Sequence, residues 1–265
     1  MEKVILLCKL SGIKKIDKNV SRVYFGNEFC DFLIPGKSEI NRLFDITNKP
    51  GIKVSIVTPY LNERSLRNAE KLLSHINRNF PDTEIIVNDW GVFHLIKNNL
   101  PDLEIVMGRL LTRQKRGFFV KSKDSGVELI RKLRLTKADR SYLKCSVLQN
   151  SYMMDFISAA GIKRIGLDNT LQGIDISGYR KFNIDLYYPY AYITTSNYCL
   201  TPLLEKGGGL RDKIYKCDKI CLRSKVRTIQ VLGRNIYLAG NTQFYRNELI
   251  KVEDNRINRI ITCSL

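Results

Sequence analysis

Short β-branched runs alternate with stretches of helical periodicity along most of the chain, the pattern of repeated βα units around a parallel sheet. VILLC at 4–8 and RVYFG at 22–26 read as the first two strands, and 35–48 as a helix with Ile40, Leu43, Phe44 and Thr47 at helical spacing. A third strand at 53–59 precedes a helix over 63–79 whose Leu66, Ala69, Leu72, Leu73 and Ile76 form one apolar face. Strands at 84–89 and 103–108 flank a helix at 92–97. After 139, YLKCSV at 142–147, a helix over 151–160 ended by Gly161, RIGLD at 164–168 and FNIDLYYP at 182–189 resume the alternation. Eight strands in 265 residues predict a TIM-barrel-like (β/α)8 barrel of the α/β class.

From Ser224 the pattern changes. TIQVLGRNIYLAG holds two strand-like runs around a Gly-Arg-Asn turn and QFYRN adds a third, which predicts a small C-terminal antiparallel β-hairpin. We therefore read 1–265 as a single domain, with a barrel core over 1–198, a basic insertion near 109–140, and a cysteine-bearing segment and hairpin over 199–265.

Charge alters this picture locally. Ten Lys and Arg against two acids lie between Arg109 and Lys137, and eight against two between Lys206 and Arg227. The two segments supply most of the net charge of +18. Concentrated basic surface steers nucleic acid, an anionic substrate or an acidic protein. No stretch approaches the roughly 20 apolar residues of a membrane span. The first residues lack a leader pattern, so the expected location is the cytoplasm.

Seven cysteines in a reducing compartment are metal ligands or small core residues sooner than disulfides. Cys217 and Cys221 form a C-x3-C pair, and Cys199 lies upstream of it. Thiolates gathered in this way suit an iron–sulfur cluster or zinc. A fourth ligand is expected from Cys30, which follows the second strand where a closed barrel brings it to the same mouth as Cys199. Cys8 and Cys145 read as core residues within apolar strands, and Cys263 is unassigned.

These residues stand among motifs that carry a resemblance. Val-Asn-Asp-Trp-Gly-Val at 87–92, Met-Gly-Arg-Leu-Leu at 107–111, Tyr-Pro-Tyr-Ala-Tyr-Ile-Thr-Thr at 188–195 running into Cys199, and Ala-Gly-Asn-Thr at 239–242 resemble, in that order, the collagenase-like peptidase family, number thirty-two among peptidases of unknown type. The cysteine layout is most similar to the UbiV branch. The resemblance implies a four-iron four-sulfur (4Fe-4S) cluster on Cys30, Cys199, Cys217 and Cys221. It also implies a role in an oxygen-independent hydroxylase on an aromatic or nucleobase substrate, either as the enzyme or as a cluster-bearing subunit beside a second family member in a heterodimer.

Barrel enzymes place their chemistry where strands end. Glu28, Asn88, Asp89, Arg109 and Asp168 are accordingly the candidate catalytic residues, with Asn169 beside the last. Lys213, Lys216, Lys219 and Arg223 flank the ligands and would stabilise an anionic cluster. The alternative reading is a module in which the same cysteines hold zinc and the basic segments, Arg113, Lys115 and Arg116 among them, grip RNA or an acidic protein. Peptidase activity finds less support: the two histidines, His75 and His94, belong to no H-E-x-x-H motif, and no G-x-S-x-G elbow is present. Gly207, Gly208 and Gly209 read as a loop between ligands.

Overall fold

The computed structural model describes residues 1–48, 50–115, 135–199, 201–206, 217–231, 233–250 and 252–265. Eight parallel strands close into a barrel: β1 (Glu2–Leu7), β2 (Arg22–Gly26), β3 (Lys53–Val57), β4 (Glu84–Val87), β5 (Glu104–Met107), β6 (Arg164–Asp168), β7 (Asn183–Tyr188) and β12 (Ile257–Cys263). Between β7 and β12 the chain builds a separate antiparallel sheet in the order β8-β11-β10-β9, from β8 (Tyr190–Thr195), β9 (Arg227–Val231), β10 (Arg234–Ala239) and β11 (Thr242–Arg246). The barrel and the small antiparallel sheet are as the hydrophobic pattern predicts.

Two strand assignments change. Residues 142–147 are not a strand: Thr136 and Asp139 form a reciprocal capping box that starts a helix over Lys137–Tyr142, and the chain then turns, leaving one isolated bridge between Ser146 and Gln114. The barrel is closed instead by β12, beyond the core expected to end at 198, and β12 pairs in parallel with both β1 and β7. Its alternation is hard to read because Arg259 points inward to an ionic layer rather than to an apolar core.

That layer follows from the period-2 geometry of strands. Outward residues such as Val23, Phe25, Ile56, Ile85, Met107, Leu167 and Leu186 pack beneath the helices. The helix Glu63–Asn79 buries Ala69, Leu72, Leu73 and Ile76, the face its periodicity predicts. Inward residues fill the barrel in tiers. At the base, Glu84 accepts hydrogen bonds from Arg22 and Arg259, while Glu2 pairs with both arginines and Asp185 with Arg164. Above it lie Val4, Tyr24, Val57, Ile86, Val106, Tyr187 and Ile261. Each buried charge in the base has an opposite partner, which burial of ions requires.

Candidate functional site

Strands of a parallel barrel end at one mouth, and the loops there carry side chains free to meet a ligand. A cavity of about 530 Å³ opens at this mouth, bordered by the ends of β1, β2 and β12 and by the inserted sheet. Cys30, Cys199, Cys217 and Cys221 all border it. So do Cys8 and Cys263, leaving Cys145 as the one cysteine outside the lining.

Local structure sets each thiol. The Asn27 side chain accepts from the backbone N–H groups of Phe29 (2.9 Å) and Cys30 (2.8 Å), fixing the loop after β2. Cys199 follows β8. Between Cys217 and Cys221, Lys219 adopts the left-handed conformation at φ 54°, starting a tight turn over Ile220–Leu222. The four are half-buried rather than sealed in the core. Among the described residues, no group of three His, Cys, Asp or Glu side chains closes on the spacing of a single metal ion; the thiols border the cavity wall.

The thiols feel one another. Burial pushes Cys30 up to about 12, helped by the nearby Cys217, Asp31 and Cys199 against the Phe32 backbone N–H. Cys199 and Cys221 share a hydrogen bond that lowers Cys199 to about 6 and raises Cys221 above the usual thiol range, so that one proton serves two sulfurs. Successive negative charges on such a set are mutually unfavourable until a cation compensates them. An all-sulfur donor set of this kind fits soft metals and iron–sulfur clusters.

Beneath the thiols lies a buried ion triad. Arg109, 1% exposed, donates from Nε to both oxygens of Glu28 (3.0 Å each), from Nη2 to Glu28 (2.5 Å), and from Nη1 to Asp168 (2.8 Å) and the Tyr190 carbonyl (3.1 Å). Burial disfavours its charge, but the two carboxylates outweigh that and hold it well above the ordinary arginine value. Its guanidinium lies 4.2 Å from the Tyr187 ring centre and within 6.0 Å of Phe29, Tyr192 and Phe244. The buried Tyr187 hydroxyl faces Glu28 but lies outside hydrogen-bond geometry. Arg109 and Glu28 both border the cavity.

The other two candidates at strand ends serve the fold. Asp89 caps the helix Trp90–Asn99, accepting from the N–H groups of Gly91 and Val92. Asn88 is buried, donating to the Thr58 carbonyl and accepting from Leu110 N–H, and it occupies the space where a Cβ on Gly108 would stand. Asn169 is locked with Asn247, each side chain donating to the other's carbonyl.

Two cysteine readings need correction. Cys8 lies just past the end of β1 and reaches the cavity, where the Asn27 amide donates to its sulfur at 3.6 Å; it is not a core residue. Cys145 lies in the turn after the helix Lys137–Tyr142, against the Ser141 carbonyl. Cys263, at the end of β12, is buried beside the triad. Its position was hidden because β12 itself was not legible as a barrel strand. Arg116, most of the basic insertion, Lys213, Lys216 and the glycines at 207–209 lie outside the described residues. Of the remaining basic candidates, Lys115 sits 3.9 Å from the Tyr142 ring centre and Arg223 lies 4.0 Å from Asp218 on the surface.

No family model matches the chain, and no curated protein matches it. Among solved structures, one described as "The Structure of the U32 Peptidase Mk0906" is similar over 100% of this chain and 93% of its own, with a TM-score of 0.48 and 8% sequence identity.

Proposed function

We propose that this chain is an iron–sulfur protein of the collagenase-like peptidase family, holding a four-iron four-sulfur cluster through Cys30, Cys199, Cys217 and Cys221. In this reading it is a component of an oxygen-independent hydroxylase acting on an aromatic or nucleobase substrate. The observation that supports it most is the meeting of four cysteines from three separate segments on one cavity at the barrel mouth. The order of the motifs around them is the second support.

When bound, such a cluster supplies one-electron transfer at a potential set by its ligands and surroundings. The chain's own residues do the rest. Lys225 on the cavity wall, with Lys219 and Arg223 beside the ligands, offsets the net negative charge of a thiolate-held cluster. Glu28, fixed by Arg109, presents a positioned carboxyl group at the cavity floor. Phe29, Tyr60 and Leu61 give the wall apolar surface suited to a planar ring.

The test is metal content after strictly anaerobic purification. The reading expects about four irons per chain and broad visible absorption. Zinc at about one per chain would move the site to a redox-inert binding module. Protein lacking both metals after anaerobic reconstitution with iron and sulfide would sink the cluster altogether.

A further inference from the structure

The Ala-Gly-Asn-Thr motif at 239–242 lies at none of the candidate ligands, yet it forms the two-residue turn between β10 and β11. Gly240 takes the first place of that turn at φ 63°, a conformation that favours glycine. What the turn touches is informative. The Asn241 side-chain amide donates to the Phe29 carbonyl (2.7 Å), next to Cys30, and to the Ser196 carbonyl (2.6 Å), on the segment leading to Cys199. The Asn241 carbonyl accepts from Ser196 N–H (3.1 Å). The Gly240 carbonyl accepts from the Thr201 hydroxyl (3.1 Å), two residues past Cys199. A Cβ placed on Gly240 would stand 3.8 Å from Cys221 Cβ.

One turn thus hydrogen-bonds to the Cys30 loop and to both sides of Cys199, and lies beside Cys221. This matters because the four cysteines do not share a scaffold. Cys30 belongs to the barrel, whereas the other three are carried by the segment inserted between β7 and β12. Their spacing therefore depends on how the inserted sheet sits on the barrel, and the Asn241–Phe29 hydrogen bond joins the two beside the first ligand. Phe29 adds packing against Tyr192 and Phe244 of the same sheet.

We propose that the Gly240–Asn241 turn positions the four-cysteine site, with the Asn241 amide setting the separation of Cys30 from the three cysteines of the inserted sheet. Asn241 is a positioning residue: its amide is committed to carbonyls, and it acts through the ligands' segments. Thr201 does the same for the segment after Cys199. The inference rests on the iron–sulfur reading and adds to it a residue that metal-ligand chemistry alone does not single out.

The experiment uses the anaerobically prepared full chain as wild type, Asn241→Ala, which removes the donor without adding a charge, and Thr201→Val. Three quantities are read: the rate of iron release to a chelator, the electron paramagnetic resonance spectrum of the reduced protein, and the melting temperature of the apoprotein. Loss of two ordinary hydrogen bonds corresponds to roughly thirtyfold. We expect Asn241→Ala to release iron about thirtyfold faster with a shifted spectrum, Thr201→Val to show a smaller change in the same direction, and both apoproteins to melt only a few degrees below wild type. Iron release and spectrum unchanged in Asn241→Ala would overturn the inference while leaving the cluster intact. Faster release with an unchanged spectrum would overturn it as well, since Asn241 would then serve the fold alone. Wild type that takes up no iron would instead overturn the underlying reading.

Discussion

Replacing Glu84 by leucine tests the barrel closure on which the meeting of the cysteines depends. Glu84 accepts from Arg22 Nη1 (2.8 Å), Ser55 (2.8 Å), and Arg259 Nη1 and Nη2 (2.9 Å each), joining β2, β3, β4 and β12 inside the barrel. Its removal leaves two guanidinium groups, with side chains 8% and 5% exposed, whose one shared salt-bridged carboxylate among the described residues is the partly exposed Glu2. Breaking a buried pair in this way costs about 3–5 kcal/mol. For 265 residues, an unfolding entropy near 2.1 cal/mol/K per residue totals about 0.56 kcal/mol/K, so a loss of about 4 kcal/mol lowers the melting temperature by about 7 °C.

Glu84→Gln separates charge from shape. Burial pushes the Glu84 carboxyl up, but its hydrogen bond to Arg259 and the charge of Arg22 prevail and hold it below the usual carboxylate range. A depressed pKa contributes stability that is complete above the unfolded value near ~4.3 and is lost as pH falls through the lower folded value. The gap between wild type and Glu84→Gln should therefore be full at neutral pH and close below about pH 4. Denaturant melts across that range measure it. A loss under about 1 kcal/mol for Glu84→Leu, or a gap that does not change with pH, would refute a dry ionic layer closed by β12.

Further outcomes follow from the same geometry. Cys30→Ala and Cys217→Ala should each lose most of the iron and visible absorption, while Cys145→Ala keeps both, as metal analysis of the anaerobic proteins will show. Gly108→Ala should destabilise by about 1–3 kcal/mol in a chemical melt, because its methyl group collides with Asn88. Asp89→Ala should cost about 1 kcal/mol through loss of the helix cap and leave iron content unchanged.

Much of the fold was legible because the strands that bury both faces, such as β2, read as continuous apolar runs, and the long helix over 63–79 shows its face without ambiguity. The misreadings share a cause. In β12 the inward positions are Arg259, Ile261 and Cys263, since the barrel interior is ionic at its base, and a strand carrying an inward arginine does not look like a core strand. At 142–147 the apolar Leu143, Cys145 and Val147 mimic alternation, while the capping pair Thr136 and Asp139 a few residues earlier starts a helix instead.

For the site, strand ends indicated Glu28, Arg109 and Asp168, and the structure joins all three. Asn88 and Asp89 share that location but are consumed by backbone partners, a distinction only three-dimensional contacts make. Cys263 had no local signal, and Asn241 stood in a quoted motif without a role, because their surroundings come from distant parts of the chain. Asn241 shows this well: its partner Phe29 is more than two hundred residues away.

If the cysteines at the barrel mouth hold an iron–sulfur cluster, the iron in the protein is surrounded by sulfur. X-ray absorption at the iron edge of the anaerobically prepared protein tests it most directly. The expected spectrum has a first shell of sulfur around iron with a second shell of iron, both lost in Cys30→Ala. An edge dominated by oxygen or nitrogen neighbours, or zinc in place of iron, would contradict it.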